Sequence, residues 1–155
     1  MPSIEILALE PDAPEIPLCA SWRVKAFGDV LENGVLAEEN SLRKFVAGGG
    51  DQVALVARRN NALAGMCLLV RSEIEPCHPL SPWLAGLYVT PEHRRVGVGR
   101  RLVAAIEDEA RSRGKHRLYL YTDYERLGWR AIERVDWKGF PTALMMRELQ
   151  GSMNE

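Results

Sequence analysis

The chain has 155 residues, 46% of them apolar and 26% charged, with a formal net charge of -1. A length of this order suits one domain, 1–155, able to bury roughly two-thirds of its unfolded surface around one core. The composition excludes a disordered or collagen-like chain. The acidic N-terminus MPSIEILALEPD and the absence of any run near ~18 apolar residues speak against a secretory signal and a membrane span.

In chain order, SIEILAL (3–9) alternates like a strand, and the turn residues of PDAP lead into a helix over EIPLCASWRVKAF. Leu42, Phe45 and Val46 predict a second helix within 38–47, which the glycines at 48–50 terminate. QVALVAR and ALAGMCLLVRSE flank Asn60-Asn61 and read as a β-hairpin. SPWLAGLYVT (81–90) is apolar nearly throughout, as in a strand buried on both faces. From Gly97, the spacing of Val98, Leu102, Val103, Ile106 and Ala110 predicts an amphipathic helix closed by Gly114. Its other side would carry Glu107, Asp108 and Arg111, with Glu107 and Arg111 an ordinary surface pair. HRLYLYT, GWRAIERVDW and TALMMREL are the last strand candidates, so the order is βααβββαβ and then ββ, a mixed α/β sheet.

Charge is unevenly spread. Residues 93–117 hold eight Lys and Arg against three acidic residues, a local surplus of five that leaves the rest of the chain at -6. This suits a small anionic ligand better than a nucleic acid, which calls for a broader basic face. The surplus centres on LYVTPEHRRVGVGRRLVA (87–104), where a strand passes through a glycine-containing turn into a helix. Such a turn offers unpaired N–H groups at the positive end of a helix dipole, and Gly97 and Gly99 let main chain approach a phosphate closely. The stretch lacks the Gly-Lys-Ser/Thr ending of a P-loop and the third glycine of a dinucleotide fingerprint. Taken singly, any one of its arginines reads as a solvated helix residue; the cluster around two glycines is what points to a ligand.

RRVGVG matches the pattern R/Q-x-x-G-x-G/A, with Arg94, Gly97 and Gly99 in the fixed places. With LYVTPEHR before it, an amphipathic helix after it and YERLGW (124–129) downstream, the chain resembles the GNAT superfamily of acetyl-CoA-dependent N-acetyltransferases. The resemblance implies that family's fold, a mostly antiparallel sheet with a parallel pair at the cofactor site, flanked by helices. It implies that main-chain N–H groups from Arg95 through Val96, Gly97, Val98 and Gly99 to Arg100 cradle the pyrophosphate of coenzyme A, with Arg94 opening the motif. It also implies that the main chain of Leu87, Tyr88 and Val89 pairs with the pantetheine arm like an added strand, and that Tyr124 is the catalytic proton donor to the coenzyme A sulfur. A phenol is protonated at neutral pH and has a proton to give.

Two departures from the family stand out. The strand 83–90 carries no carboxylate to serve as base; Glu73, Glu75 and His78, in the preceding loop, are the nearest substitutes in sequence. Between Tyr121 and Gly128 there is only TDYERL, too short for the usual helix, which keeps open a non-catalytic acyl-CoA binding domain beside the transferase with an amine acceptor. Trp83, Trp129 and Trp137 read as sheet packing. The three cysteines, Cys19, Cys67 and Cys77, have no paired spacing and suggest reduced thiols in a cytoplasmic protein. No metal spacing is present, neither nucleic acid nor membrane is an expected partner, and a homodimer stays open.

Overall fold

The computed structural model describes residues 3–27, 34–48, 50, 52–71, 81–122, 129–137 and 140–149. Its elements are β1 (Ile4–Ala8), α1 (Ile16–Phe27), α2 (Val35–Gly48), β2 (Val53–Arg59), β3 (Ala62–Val70), β4 (Trp83–Val89), α3 (Val98–Ser112), β5 (Arg117–Thr122), β6 (Arg130–Trp137) and β7 (Phe140–Glu148), with a 3-10 turn at Pro91–His93. They follow the expected order. α2 starts earlier than its apolar spacing indicates, because Gly34 O accepts from Glu38 N and begins the helix a turn sooner.

All seven strands form one sheet in the order β1-β2-β3-β4-β5-β7-β6. Every neighbouring pair is antiparallel except β4 and β5. The β2–β3 hairpin turns at Asn60 and Asn61, whose φ angles of 56° and 64° give the doubly left-handed turn that matches strand twist. Asparagine tolerates that region better than other non-glycine residues, so two letters place the hairpin.

Alternation along the strands, shifted in phase at the bulges near Ala57 and Cys67, sends side chains to two cores, one on each face. Ala54, Val56, Met66, Leu68 and Val70 pack with Trp83, Tyr119 and Met146 against Ile16, Cys19 and Trp22 of α1 and Leu42 of α2. Leu55, Cys67, Leu69, Leu84, Leu118, Leu120 and Met145 pack against Val98, Leu102, Ile106 and Ala110 of α3. The sheet is thus a middle layer, with α1 and α2 on one side and α3 on the other. Trp83 is fully buried, and Trp129 packs at the edge of the α3-side core; the side chain of Trp137 lies outside the described residues. Among the described residues no helix is long and apolar enough to cross a membrane.

Glu107 does not sit on the solvated side of α3. Only 8% of it is exposed, and its Oε2 lies 3.2 Å from Arg147 Nε on β7, while Arg111 stands 4.0 Å from its other oxygen. The Arg147 approach is outside hydrogen-bond geometry, so it is an ion contact that ties helix to sheet. Helical spacing assigns a residue to a face but is blind to a partner on a distant strand. Beyond α3, Gly114 takes φ 78° and Lys115 N returns to Ala110 O at 3.0 Å, closing the helix as its glycine predicts.

Candidate active site

The site begins with an irregularity in β4. Its register against β3 pairs Met66 with Tyr88 but Leu68 with Ala85, so Gly86 and Leu87 together face Cys67. This is a β-bulge. Its consequence is a change of phase: Trp83 and Ala85 face α1 and α2, whereas beyond the bulge it is Tyr88 that faces them and Leu87 and Val89 that turn to the α3 side. Gly86 takes φ 63°, a left-handed conformation that a side chain would disfavour.

The bulge also separates β4 from β5. The two strands share one register pair, Trp83 with Tyr119, reinforced by a hydrogen bond from Tyr119 N to Pro82 O at 3.1 Å. Thr90 N donates to Ala64 O on β3 at 2.9 Å. Main-chain groups alternate between the two edges of a strand, so Tyr88 also faces β3 and Val89 turns its N–H and C=O toward the gap on the β5 side. An open strand edge with paired neighbours behind it is a template for one more extended segment.

At the end of β4 the chain makes the 3-10 turn and then enters α3. Arg95 and Gly97 both have positive φ, 66° and 97°, the left-handed conformation from which anion-binding concavities of successive N–H groups are built. Val98, Gly99 and Arg100 are in the first turn of α3 and have no carbonyl inside the helix, the first return being Arg101 N to Gly97 O at 3.0 Å. Val98 is 1% exposed and roots the turn in the core, while Arg95, Val96, Gly97 and Arg100 are exposed. Among the described residues, apart from its chain neighbours, no heavy atom comes within 4 Å of where a β-carbon on Gly97 would stand. N–H groups without intrahelical acceptors at the positive end of a 15-residue helix, with arginines around them, suit a phosphate or diphosphate.

The arginines divide into two kinds. Arg94 turns back along β4: its Nε donates to Val89 O at 2.7 Å and its guanidinium carbon lies 5.6 Å from the centre of the Tyr88 ring. It shapes the junction between strand and loop and holds the carbonyl at the open edge. Arg101 donates from Nη2 to Ile4 O at 3.1 Å and ties α3 to β1. Arg95 and Arg100, exposed like the other two, flank the N–H groups.

On the opposite face, α1 closes over the bulge, with α2 packed beside it. Trp22 meets Tyr88 with ring centroids 5.5 Å apart, and Arg23 Nε donates to Glu38 Oε2 at 2.5 Å. The sequence had a signal for this arrangement, the isolated Gly86 inside an apolar strand, which marks a bulge or a close approach; nothing in it indicated Arg23 or Glu38. Tyr124, and Glu73, Glu75 and His78, lie outside the described residues. β5 ends at Thr122 and β6 starts at Arg130, so residues 123–129 are all that connects them.

Residues 18–131 match the acetyltransferase (GNAT) family. The chain belongs to that family. Solved structures share its fold across almost its whole length. An aminoglycoside 6'-acetyltransferase type Ii has a TM-score of 0.70 at 20% identity, covering 94% of this chain and 97% of that one. An aminoglycoside 6'-N-acetyltransferase complexed with coenzyme A has a TM-score of 0.72 at 16% identity, covering 94% and 97%. YncA from Salmonella typhimurium, with its cofactor acetyl-CoA, has a TM-score of 0.72 at 16% identity, covering 96% and 95%. Comparison with curated protein sequences found no match. The parting strands β4 and β5, with the N-terminus of α3 at their mouth, are therefore the site of this GNAT domain that coenzyme A chemistry has to be tested against. The edge of β4 beyond its pairing with β5, where Val89 O accepts from Arg94, and the exposed loop at Gly97 fit an extended arm ending in a diphosphate.

Proposed function

We propose that the protein transfers the acetyl group of acetyl-CoA to a primary amine of a small molecule or peptide, by direct attack within a ternary complex, with residues 1–155 acting as one domain. The observation that carries this reading is the parting of β4 from β5 after Trp83 and Tyr119, directly beside the N–H groups that open α3.

In this reading the main chain of Arg95 to Arg100 binds the diphosphate, Arg94 shapes the turn, and Leu87, Tyr88 and Val89 supply the strand edge for the pantetheine arm. Acetyl-CoA supplies the activated carbonyl as a thioester. A main-chain N–H at the β4 edge donates to the carbonyl oxygen as negative charge develops there, and being fixed in place it needs no reorganisation. The amine attacks the carbonyl carbon and the C–S bond breaks as the tetrahedral species collapses; the nitrogen gives its proton to water, the Tyr124 hydroxyl gives one to the departing sulfur, and the phenolate takes a proton back from solvent. β4 itself, Trp83 to Val89, has no carboxylate, so the amine arrives neutral or loses its proton to water. Cys19 and Cys67 are buried cysteines outside any disulfide, which supports a reducing, cytoplasmic setting.

The test is release of free thiol from acetyl-CoA over a panel of amines that includes aminoglycosides, polyamines and peptides with free amino groups. Amine-dependent release supports transfer. Tight binding of acetyl-CoA without release for any amine would replace it with an acyl-CoA binding domain, the reading that the short connection from Thr122 to Arg130 favours.

A further inference from the structure

Helices α1 and α2 are joined by an ion pair that few other features explain. Arg23 and Glu38 have side chains only 16% and 7% exposed, and their atoms approach to 2.5 Å. Removing two charges from water is costly, and an apolar pair of similar volume would hold two helices together at least as well. The location is informative. A β-carbon on Gly86 would lie 2.5 Å from Arg23 Nη1, so the guanidinium fills the volume that a side chain at the bulge would need. Its neighbour on α1, Trp22, packs on Tyr88 two residues further along β4. Consecutive residues of one helix therefore brace the bulge on both sides of Leu87, and Glu38 on α2 sets where the guanidinium stands.

We propose that Arg23, oriented by Glu38, is a positioning residue for the donor site: it holds the Gly86 bulge in the shape that turns the main chain of Leu87 to Val89 toward the gap between β4 and β5. This rests on the reading of that gap as the place of the pantetheine arm. A planar guanidinium has several fixed N–H groups, so it can meet Glu38 with one and lie against β4 with another; a lysine keeps the charge but has no such fork.

The experiment compares two ligands by calorimetry: coenzyme A, and 3'-phosphoadenosine 5'-diphosphate, which has the diphosphate but lacks the arm. Arg23→Lys and Arg23→Gln are expected to leave the affinity for the nucleotide within about twofold and to weaken coenzyme A about tenfold, the equivalent of one or two main-chain hydrogen bonds. A reciprocal exchange, Arg23→Glu together with Glu38→Arg, is expected to recover thermal stability relative to Arg23→Glu alone without recovering coenzyme A affinity. Single variants that weaken neither ligand, or both alike, or an exchange that restores affinity together with stability, would reduce the pair to a clamp between helices and overturn the proposal. If the unaltered protein binds coenzyme A no more tightly than the nucleotide, the donor-site reading itself fails and the inference falls with it.

Discussion

Trp83 and Tyr119 are both the register pair that joins β4 to β5 and a packed aromatic pair, with ring centroids 5.5 Å apart at 43°. The same two residues thus fix the point from which the strands diverge. Trp83 is fully buried in the core beneath α1 and α2. Its removal by Trp83→Ala is expected to cost about 3–5 kcal/mol, through lost burial and the cavity left behind. Urea denaturation measures this, and a cost under about 1 kcal/mol would show that Tyr119 and Pro82 hold the junction without it.

Gly97 stands at φ 97°, outside the conformations a residue with a β-carbon adopts readily, yet among the described residues a β-carbon there would meet nothing within 4 Å beyond its chain neighbours. Gly97→Ala should therefore cost about 1–2 kcal/mol in backbone strain. Its effect on coenzyme A should be larger than on folding, because the exposed side of Gly97 is where a diphosphate would approach. Calorimetric affinity set beside the thermal midpoint decides this; an affinity unchanged in a destabilised protein would move the ligand elsewhere.

Much of this fold is legible in the sequence because local rules specify it. The Asn60-Asn61 turn, the amphipathic face of α3 and its glycine stop each depend on residues within a turn or two of one another, and all appear where those letters place them. What escapes is whatever depends on partners distant along the chain. Glu107 reads as a surface residue until Arg147, on β7, is beside it. Arg23 and Glu38 belong to two helices and act on a third element, β4, so no window of sequence contains the relation. The strand, turn and helix N-terminus of 87–100 are legible because they are contiguous; the support of β4 by Arg23 and Glu38 is assembled from separate elements and is not.

Tyr124 tests the chemistry directly. If its hydroxyl protonates the departing sulfur, Tyr124→Phe should lower the turnover number about a hundredfold or more, as loss of a general acid does. Coenzyme A affinity should stay the same, since the change removes one oxygen and no part of the cradle. Steady-state kinetics on the best amine of the panel, with calorimetry alongside, gives both numbers. Unchanged turnover would remove Tyr124 from the mechanism and leave solvent as the source of the proton.

Cys19 connects burial to pH. Its thiol is pushed from the ordinary 9.0 up to about 12, first by burial in the core under α1 and then by the carboxylate of Glu15. The unfolded chain ionises this thiol near its ordinary value while the native protein keeps the proton, so the contribution is intact below about pH 9 and is lost as pH rises toward 12. The slope attributable to the thiol reaches about 1.4 kcal/mol per pH unit. Urea denaturation at rising alkaline pH should therefore show a shallower decline for Cys19→Ala than for the unaltered protein, and parallel declines would place the alkaline sensitivity elsewhere.

Arg95 separates stability from function most cleanly. It holds φ 66° with a full side chain, exposed, in the loop between the 3-10 turn and α3. A non-glycine residue pays about 1–2 kcal/mol for that conformation, whereas glycine adopts it freely but loses about 0.5–1 kcal/mol more in chain entropy on folding. Arg95→Gly should thus raise stability by roughly 0.5–1 kcal/mol. The same change removes one of the four exposed arginines around the α3 N-terminus (Arg94, Arg95, Arg100 and Arg101) while preserving the backbone shape, so coenzyme A should bind about fivefold more weakly at low salt, with the difference shrinking as salt screens it. A gain in thermal midpoint with a salt-sensitive loss of affinity would show that this chain keeps an arginine in a strained position for its charge. A gain in both would show instead that the N–H groups alone hold the diphosphate and that the side chain at 95 is dispensable.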